Sequence, residues 1–189
     1  MSDRRAYDAY PTPPATIQAA LDRIPLNPDR YILEPCAGDG RILQACAAQW
    51  PRRELRAVEI DPQYEGALQA ITATTHLTDF RIWAQDYRQM FPDRQRCGPG
   101  LIISNPPFSI AQEILEACFL VARPTTPVVM LLRLSFLESA QRKPFWDAHP
   151  LAGLYPLARR PSFTEDGHTL GQGFGWFVWQ GSIAEIAVI

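Results

Sequence analysis

The sequence predicts an α/β fold built on a mostly parallel sheet, and three observations lead to this prediction. Short apolar runs alternate with stretches whose apolar residues recur at helical spacing, as in a parallel sheet with helices on both faces. Several of the apolar runs end in glycine, proline or acidic residues, so the chain leaves the sheet at defined turns. The length of 189 residues suits one such domain and leaves little for a second. We therefore expect a single domain over residues 1–189.

Composition and charge narrow the classes of protein. Hydrophobic residues make up 47% and charged residues 20% of the chain, as in globular proteins. The formal net charge of −2 provides no overall basic field, so a nucleic acid would have to meet a local patch. The four cysteines lack paired spacing, which predicts free thiols and no metal site. Without a long apolar run or an apolar signal core, we expect a cytoplasmic protein that has no membrane contact and is flexible over residues 1–10.

The first predicted helix begins near Pro13, with Thr12 as its N-cap. Apolar residues between Ile17 and Ile24 recur on one face of this helix. The first strand, Arg30–Pro35, then runs into the glycine turn Cys36–Gly40 and a second helix. A strand, a glycine turn and a helix together are typical of nucleotide binding, because glycine lets a ligand approach the backbone.

Two further strands are predicted to end in acidic residues. The strand Leu55–Pro62 carries Glu59 about twenty residues after the glycines, a spacing that suits hydrogen bonds to two ribose hydroxyls. Its second acid, Asp61, is more suited to capping the helix 62–71. The third predicted strand is Phe80–Tyr87. At its end Asp86 can receive the amine of an adenine and Tyr87 can flank the ring, although a solvated loop acid is the simpler interpretation of Asp86.

The fourth strand ends in the most informative turn of the chain. The apolar run Leu101–Ile103 leads into Asn105-Pro106-Pro107-Phe108, and the two prolines end the ladder because they lack N–H donors. An amide, a backbone carbonyl and an aromatic ring are thereby held together at the end of a strand. In open α/β sheets this edge binds ligands.

The remaining elements complete a sheet of seven strands. They are a helix over Ala111–Val121, a strand over Pro127–Leu132, a helix over Ser139–Ala148, a strand over Leu151–Leu157 and a last strand over Trp176–Gln180. Since no helix joins the last two strands, we expect them to form an antiparallel pair at one side.

Several motifs together resemble a known enzyme family. They are Leu33–Gly40, Val58–Asp61, Gln85–Tyr87 and Ser104–Phe108, preceded by Tyr10–Pro13 and followed by Arg160–Phe163 and Trp176–Trp179. This series resembles the S-adenosylmethionine-dependent adenine-N6 methyltransferases, in the gamma order of the DNA enzymes and close to small stand-alone forms from bacteria and phages. The Asn-Pro-Pro-Phe turn is also found in glutamine-N5 methyltransferases of release factors and in some RNA adenine enzymes.

The resemblance implies a Rossmann-like, seven-stranded class I methyltransferase sheet, mostly parallel with an antiparallel final strand, and S-adenosylmethionine as the cofactor. The residues that it assigns to catalysis are Asn105, Pro106, Pro107 and Phe108. The residues that it assigns to the cofactor are Tyr10, Thr12, Glu34, Pro35, Ala37, Gly38, Gly40, Glu59, Ile60, Asp86, Tyr87 and Asn105. In this assignment Asn105 and the Pro106 carbonyl accept from an amino group, while Phe108 stacks on the base.

Substrate binding is predicted at Phe108 and Phe163, which can face the target base, and at Arg159 and Arg160, which can meet a phosphate. A packing role for Phe163 with two solvated arginines is equally open. DNA is the expected substrate, with RNA adenine or protein glutamine as alternatives, and a cofactor-binding interaction module without catalysis as a third reading. The chain has no room for a separate target-recognition domain, so we expect low sequence specificity or a protein partner that supplies it. The oligomeric state does not follow from the sequence.

Overall fold

The computed structural model describes residues 10–163, 171–179 and 185–186. Its strands are β1 (Ile32–Pro35), β2 (Leu55–Glu59), β3 (Thr74–Leu77), β4 (Leu101–Ser104), β5 (Val128–Arg133), β6 (Gly153–Pro156), β7 (Phe174–Trp179) and β8 (Glu185–Ile186). Its α-helices are α1 (Pro14–Arg23), α2 (Arg41–Gln49), α3 (Glu65–Gln69), α4 (Phe80–Met90), α5 (Arg94–Cys97), α6 (Ala111–Val121) and α7 (Lys143–Ala148).

The strands form one mixed sheet in the order β3-β2-β1-β4-β5-β7-β6-β8. The pairs from β3 to β5 are parallel, while β7 lies antiparallel between β5 and β6. The predicted fold class is therefore confirmed, including the antiparallel pair made by the last two long strands. The two-residue β8 adds a short parallel edge beyond β6. Gln180, which the prediction placed in the last strand, lies outside the described residues.

The third predicted strand is wrong. The segment beginning at Phe80 is the helix α4, and the third strand is the shorter, more polar β3. The buried residues of α4 are Phe80, Trp83, Ala84 and Tyr87. Their spacing of three and four is that of one helical face, whereas the sequence prediction followed the alternation of apolar and polar residues over part of the segment.

Two predictions about helix ends differ in outcome. Asp61 caps the 3₁₀ turn Pro62–Tyr64 by accepting from the Gln63 N–H, as predicted. Thr12, in contrast, does not cap α1, because the helix begins one residue later, at Pro14, with Pro13 as its N-cap. The predicted helix 139–148 is a 3₁₀ turn over 140–142 followed by the short α7.

The sheet is buried on both faces. One face packs against α4 and α6, and the other against α1 and α2. All residues of β4 are buried, since parallel strands covered by helices on both sides need apolar side chains in both directions. Among the described residues, every helix is too short or too polar to cross a bilayer. This packing leaves the carboxyl ends of β1, β2 and β4 as the edge where side chains from neighbouring strands converge.

Candidate functional site

A cavity of about 490 Å³ opens at the carboxyl ends of the parallel strands. Its walls come from the segment before α1, the turn after β1, the end of β2, the start of α4 and the turn after β4. Among the predicted site residues, the cavity is lined by Tyr10, Thr12, Glu34, Ala37, Gly38, Glu59, Ile60, Asn105 and Pro107. Its volume is in the range of small-molecule and cofactor sites.

The two glycines of the turn, Gly38 and Gly40, lie in different surroundings. Gly38 has φ +52 and lines the cavity, and a Cβ added to it would meet nothing within 4 Å. Gly40 has φ +76 and is buried, and its Cβ would lie 2.6 Å from Ile71 Cδ1. Gly38 thus leaves room for a ligand, whereas Gly40 leaves room for the residues that follow α3. Gly40, which the sequence predicts as a cofactor contact, does not line the cavity and instead packs against Ile71 and Leu68.

Glu59 ties the glycine turn to the end of β2. Its Oε2 accepts from the Gly38 N–H at 2.7 Å, and its Oε1 accepts from the N–H groups of Ile60 and Asp61 at 2.9 and 2.8 Å. The side chain is only 6% exposed. Because each carboxylate oxygen has two lone pairs, Oε2 retains one acceptor position toward the cavity.

Glu34 reaches the cavity from β1 and is buried. Its Oε2 accepts from the Leu43 N–H at 3.1 Å, so it caps α2, whose own N-cap residue is Gly40 and has no side chain. Burial raises the pKa of this carboxyl well above its usual range. Pro35, which the sequence predicted beside it in the site, is buried in the ladder outside the cavity wall, and its carbonyl accepts from Ser104 Oγ.

The structure does not bring Asp86 and Tyr87 to the cavity. Asp86 is exposed on α4, and Tyr87 is buried, with its hydroxyl 3.0 Å from that of Tyr31 and donating to the Cys97 carbonyl at 2.7 Å. Neither residue lines the cavity, because this segment is a helix, which carries both residues a full turn or more away from the sheet edge.

Asp79 and Phe80 occupy the wall where those two residues were expected. Asp79 caps α4 by accepting from the Arg81 N–H at 2.8 Å, and its pairing with the Arg81 guanidinium lowers its pKa. Sequence reasoning missed both residues. The signal was present, since an Asp directly before a helical repeat of apolar residues indicates a helix start.

Asn105 presents a buried acceptor that lacks a partner. Its Nδ2 donates to the Tyr10 carbonyl at 2.9 Å. Its Oδ1 is buried, and among the described residues no group donates to it. An unsatisfied buried acceptor costs on the order of 1–3 kcal/mol, so this atom is suited to a donor that comes from a ligand. The neighbouring Pro106 is buried, and Pro107 lines the cavity.

Phe108 lies in an aromatic cluster beside the cavity, formed by Tyr10, Phe108, Phe163 and Phe174. The Tyr10 and Phe108 rings are nearly parallel, with an interplanar angle of 15° and centroids 6.2 Å apart. Phe163 is 4% exposed and meets Phe108 edge-on, with centroids 6.2 Å apart. The structure therefore brings Phe163 next to Phe108, while Arg159 and Arg160 are exposed on the segment after β6 and do not line the cavity.

The segment 10–12 closes one side of the cavity. Thr12 is buried, and its carbonyl accepts from Arg41 Nη1 at 3.2 Å. Arg41 is in turn held by the Asp39 carboxylate. This segment thus connects the glycine turn, through Arg41, with Asn105, through the Tyr10 carbonyl.

No family model matches the sequence. Three solved structures have a similar fold. A SAM-dependent methyltransferase from Anabaena variabilis has a TM-score of 0.63 and 10% identity over 92% of this chain and 88% of its own. TrmN from Thermus thermophilus has a TM-score of 0.60 and 18% identity, covering 89% of this chain and 48% of its own.

The methyltransferase subunit of a type I restriction-modification system from Streptococcus thermophilus has a TM-score of 0.66 and 10% identity, covering 94% of this chain and 47% of its own. This chain thus spans about half the length of the last two proteins. At such low identities the likeness shows the fold alone, which is the Rossmann-like sheet that the sequence predicts.

Proposed function

We propose that this protein is an S-adenosylmethionine-dependent methyltransferase that acts on a planar exocyclic amino group, and that its substrate is the N6 amine of adenine in DNA. The observation that carries the proposal is the buried, unpartnered Asn105 Oδ1 beside the cavity. An amino group attached to an aromatic ring has a delocalised lone pair and reacts poorly as a nucleophile. An acceptor fixed at its N–H draws charge toward nitrogen in the transition state.

The residues present fit the cofactor. Gly38 leaves the backbone open to close approach, and Glu59 Oε2 has an acceptor position left for a ribose hydroxyl. Asp79, at the start of α4, can accept the amine of the cofactor's adenine, and the exposed side chain of Ile60 can cover its ring. Gly38 and the segment 10–12 would hold the methionine end of the cofactor. Glu34, Ala37, Tyr10 and Thr12 are the candidate contacts there.

When bound, the cofactor supplies a sulfonium methyl group that is already activated for transfer. Asn105 Oδ1 accepts one N–H of the substrate amine, and the Pro106 carbonyl is the candidate acceptor for the other. Phe108 holds the planar substrate in line for attack by packing against its face. After transfer one N–H proton leaves the methylated nitrogen for water, because an amide oxygen is too weak a base to retain it.

DNA is the favoured substrate on two grounds. The motifs follow each other in an order that resembles the gamma arrangement of the DNA adenine enzymes, and one protein of similar fold is a methyltransferase subunit of a restriction-modification system. A base in duplex DNA would have to leave the stack to reach Asn105. Phe163 is packed against Phe108 in the aromatic cluster, so its support of the target base would be through Phe108. With Arg159 and Arg160 near a phosphate, sequence choice would depend on loops or on a protein partner.

The test is transfer of labelled methyl from S-adenosylmethionine to unmethylated DNA, total RNA and a protein extract. We expect label in DNA, and a fall of roughly 100- to 1,000-fold for Asn105→Ala. Asn27→Ala is the matched control, since Asn27 also precedes a proline but is exposed. Label only in RNA or in protein would replace the substrate and keep the chemistry. Cofactor binding without transfer to any of the three would favour an interaction module.

A further inference from the structure

Arg133 places a second unsatisfied group beside Phe108. It is the last residue of β5 and pairs with Phe174 across the antiparallel ladder. Residues directly opposite in such a pair project from the same face of the sheet. Phe174 itself packs against Phe108, with ring centroids 5.5 Å apart. The register of β5 and β7 therefore directs Arg133 to the aromatic cluster.

The guanidinium carbon of Arg133 lies 4.8 Å from the centroid of the Phe108 ring. This distance is within the range of cation–π contacts. A planar group that stacks on this face of Phe108 must therefore contact the Arg133 guanidinium or displace it.

The Nε–H of Arg133 is buried and has no acceptor among the described residues. The buried Arg123, in contrast, donates to both carboxylate oxygens of Asp29. A buried donor without a partner is costly, so its persistence beside Phe108 indicates that a ligand supplies the acceptor.

Two orphaned groups thus belong to one region. Asn105 Oδ1 is an acceptor in the turn that ends in Phe108, and Arg133 Nε–H is a donor on the side chain that packs against the Phe108 ring. A base that bears an amino group beside a ring nitrogen offers the complementary donor and acceptor.

We infer that Arg133 is a substrate-binding residue, whose Nε–H donates a hydrogen bond to a ring nitrogen of the base that has its amino group at Asn105. This inference rests on the proposed function and deepens it. It assigns to Arg133 recognition of a ring nitrogen of the base, a role distinct from contact with a phosphate.

The test uses the DNA on which the wild type is active, synthesised again with adenine analogues that lack the ring nitrogen N1, N3 or N7. We expect kcat/KM of the wild type to fall by roughly 10- to 100-fold on one analogue, the size of one hydrogen bond to a charged group. Arg133→Met retains apolar contact with Phe108. On natural DNA its kcat/KM should be as low as that of the wild type on that analogue, and the analogue should not lower it further.

Arg142→Met is the matched control. In the wild type the guanidinium carbon of Arg142 lies 4.4 Å from the centroid of the Phe136 ring, and Arg142 Nη1 donates to the Phe136 carbonyl. This variant should keep the full sensitivity of the wild type to the analogue. Arg133→Lys retains the charge without an Nε–H and should behave as Arg133→Met does, so it carries the same test if the methionine variant does not fold.

Three results would overturn the inference. If each analogue lowers kcat/KM of Arg133→Met by the same factor as it lowers kcat/KM of the wild type, the side chain and the ring nitrogens act independently. If Arg133→Lys restores activity and Arg133→Met only lowers the salt dependence of DNA binding, the contact is to a phosphate. If the wild type methylates no DNA, the proposed function fails and the role of Arg133 fails with it.

Discussion

At the scale of single residues, Gly38 and Gly40 have the same left-handed backbone in different surroundings. Replacing either with alanine adds about 1–2 kcal/mol of backbone strain. The methyl group at position 40 would also press on Ile71 and Leu68, with contacts of 2.6 and 2.9 Å, whereas the methyl group at position 38 would enter open space. We expect Gly40→Ala to lower the free energy of unfolding by about 1 kcal/mol more than Gly38→Ala does.

The measurement is urea unfolding of both variants without ligand. Binding of S-adenosylhomocysteine should show the reverse order, with the larger loss of affinity in Gly38→Ala. Equal effects of the two substitutions on stability would contradict the division of roles between the two glycines.

Glu34 should make stability depend on pH in a direction unusual for a carboxylate. Burial raises the folded-state pKa of this carboxyl well above its ordinary value of 4.5. Above about pH 4.5 the unfolded chain releases this proton while the folded protein retains it. The contribution to stability is therefore complete below that pH and is lost as the pH rises through the raised pKa.

Glu34→Gln removes the titration and leaves an amide oxygen for the Leu43 N–H. We expect the free energy of unfolding of the wild type to decline more between about pH 5 and pH 7.5 than that of the variant. Chemical denaturation at the two pH values measures this difference. Identical declines would show that Glu34 is not the group responsible.

At the scale of elements, α4 allows a comparison of two aspartates on one helix. Asp79 caps the helix and lines the cavity, whereas Asp86 is exposed near its middle. Asp79→Ala should cost about 1 kcal/mol of stability through the lost cap, and it should weaken S-adenosylhomocysteine binding. Asp86→Ala should change stability by less than about 0.5 kcal/mol.

Thermal unfolding and calorimetric titration measure the two effects. Asp79→Asn, which can still cap the helix, separates the cap from the charge. Weakened S-adenosylhomocysteine binding in Asp86→Ala would favour Asp86 as the residue that accepts the cofactor's amine and would contradict the assignment of that role to Asp79.

The same helix shows where the sequence ceases to be sufficient. Helix α6 was predicted with the bounds that the structure gives it, because a long apolar repeat follows the double proline. Helix α4 was misread because β3 before it is short and partly polar. The segment beginning at Phe80 contains both the alternation of a strand and the spacing of three and four of a helix. Burial of the helical face against α6 decides for the helix.

The sequence predicts one part of the site, namely the residues that lie at strand ends. Gly38, Glu59 and Asn105 lie at or within three residues of the carboxyl ends of β1, β2 and β4, so the topology alone brings them to one edge. The orientation of Asn105 depends on Tyr10, 95 residues away in the chain. The packing of Phe163 against Phe108 and the unpaired Nε of Arg133 likewise depend on tertiary contacts that no local pattern records.

At the scale of the whole molecule, the cavity draws on segments from residue 10 to Ile114. A ligand that binds only the folded state adds to stability by mass action. At about 100 times its dissociation constant, S-adenosylhomocysteine should stabilise the protein by about 2.7 kcal/mol, a rise in melting temperature of roughly 5–10 °C.

Differential scanning fluorimetry with increasing ligand measures this shift. Asp86→Ala should show a shift close to that of the wild type, because Asp86 is exposed on α4 and does not line the cavity. Adenosine, which lacks the methionine end, should give a smaller shift. The absence of a shift at any ligand concentration would contradict the assignment of the cavity.

The hydrogen bond from Asn105 Nδ2 to the Tyr10 carbonyl fixes the direction of a dipole. Packing hardly distinguishes the two ends of a carboxamide, since its oxygen and its NH₂ group have nearly the same size. A half-turn about the last side-chain bond would present N–H groups to the amine of the substrate and turn attraction into repulsion. The Tyr10 carbonyl makes that half-turn unfavourable, since an oxygen facing it would be repelled. A stretch of backbone far from the reacting atoms in sequence thus determines the polarity of the site.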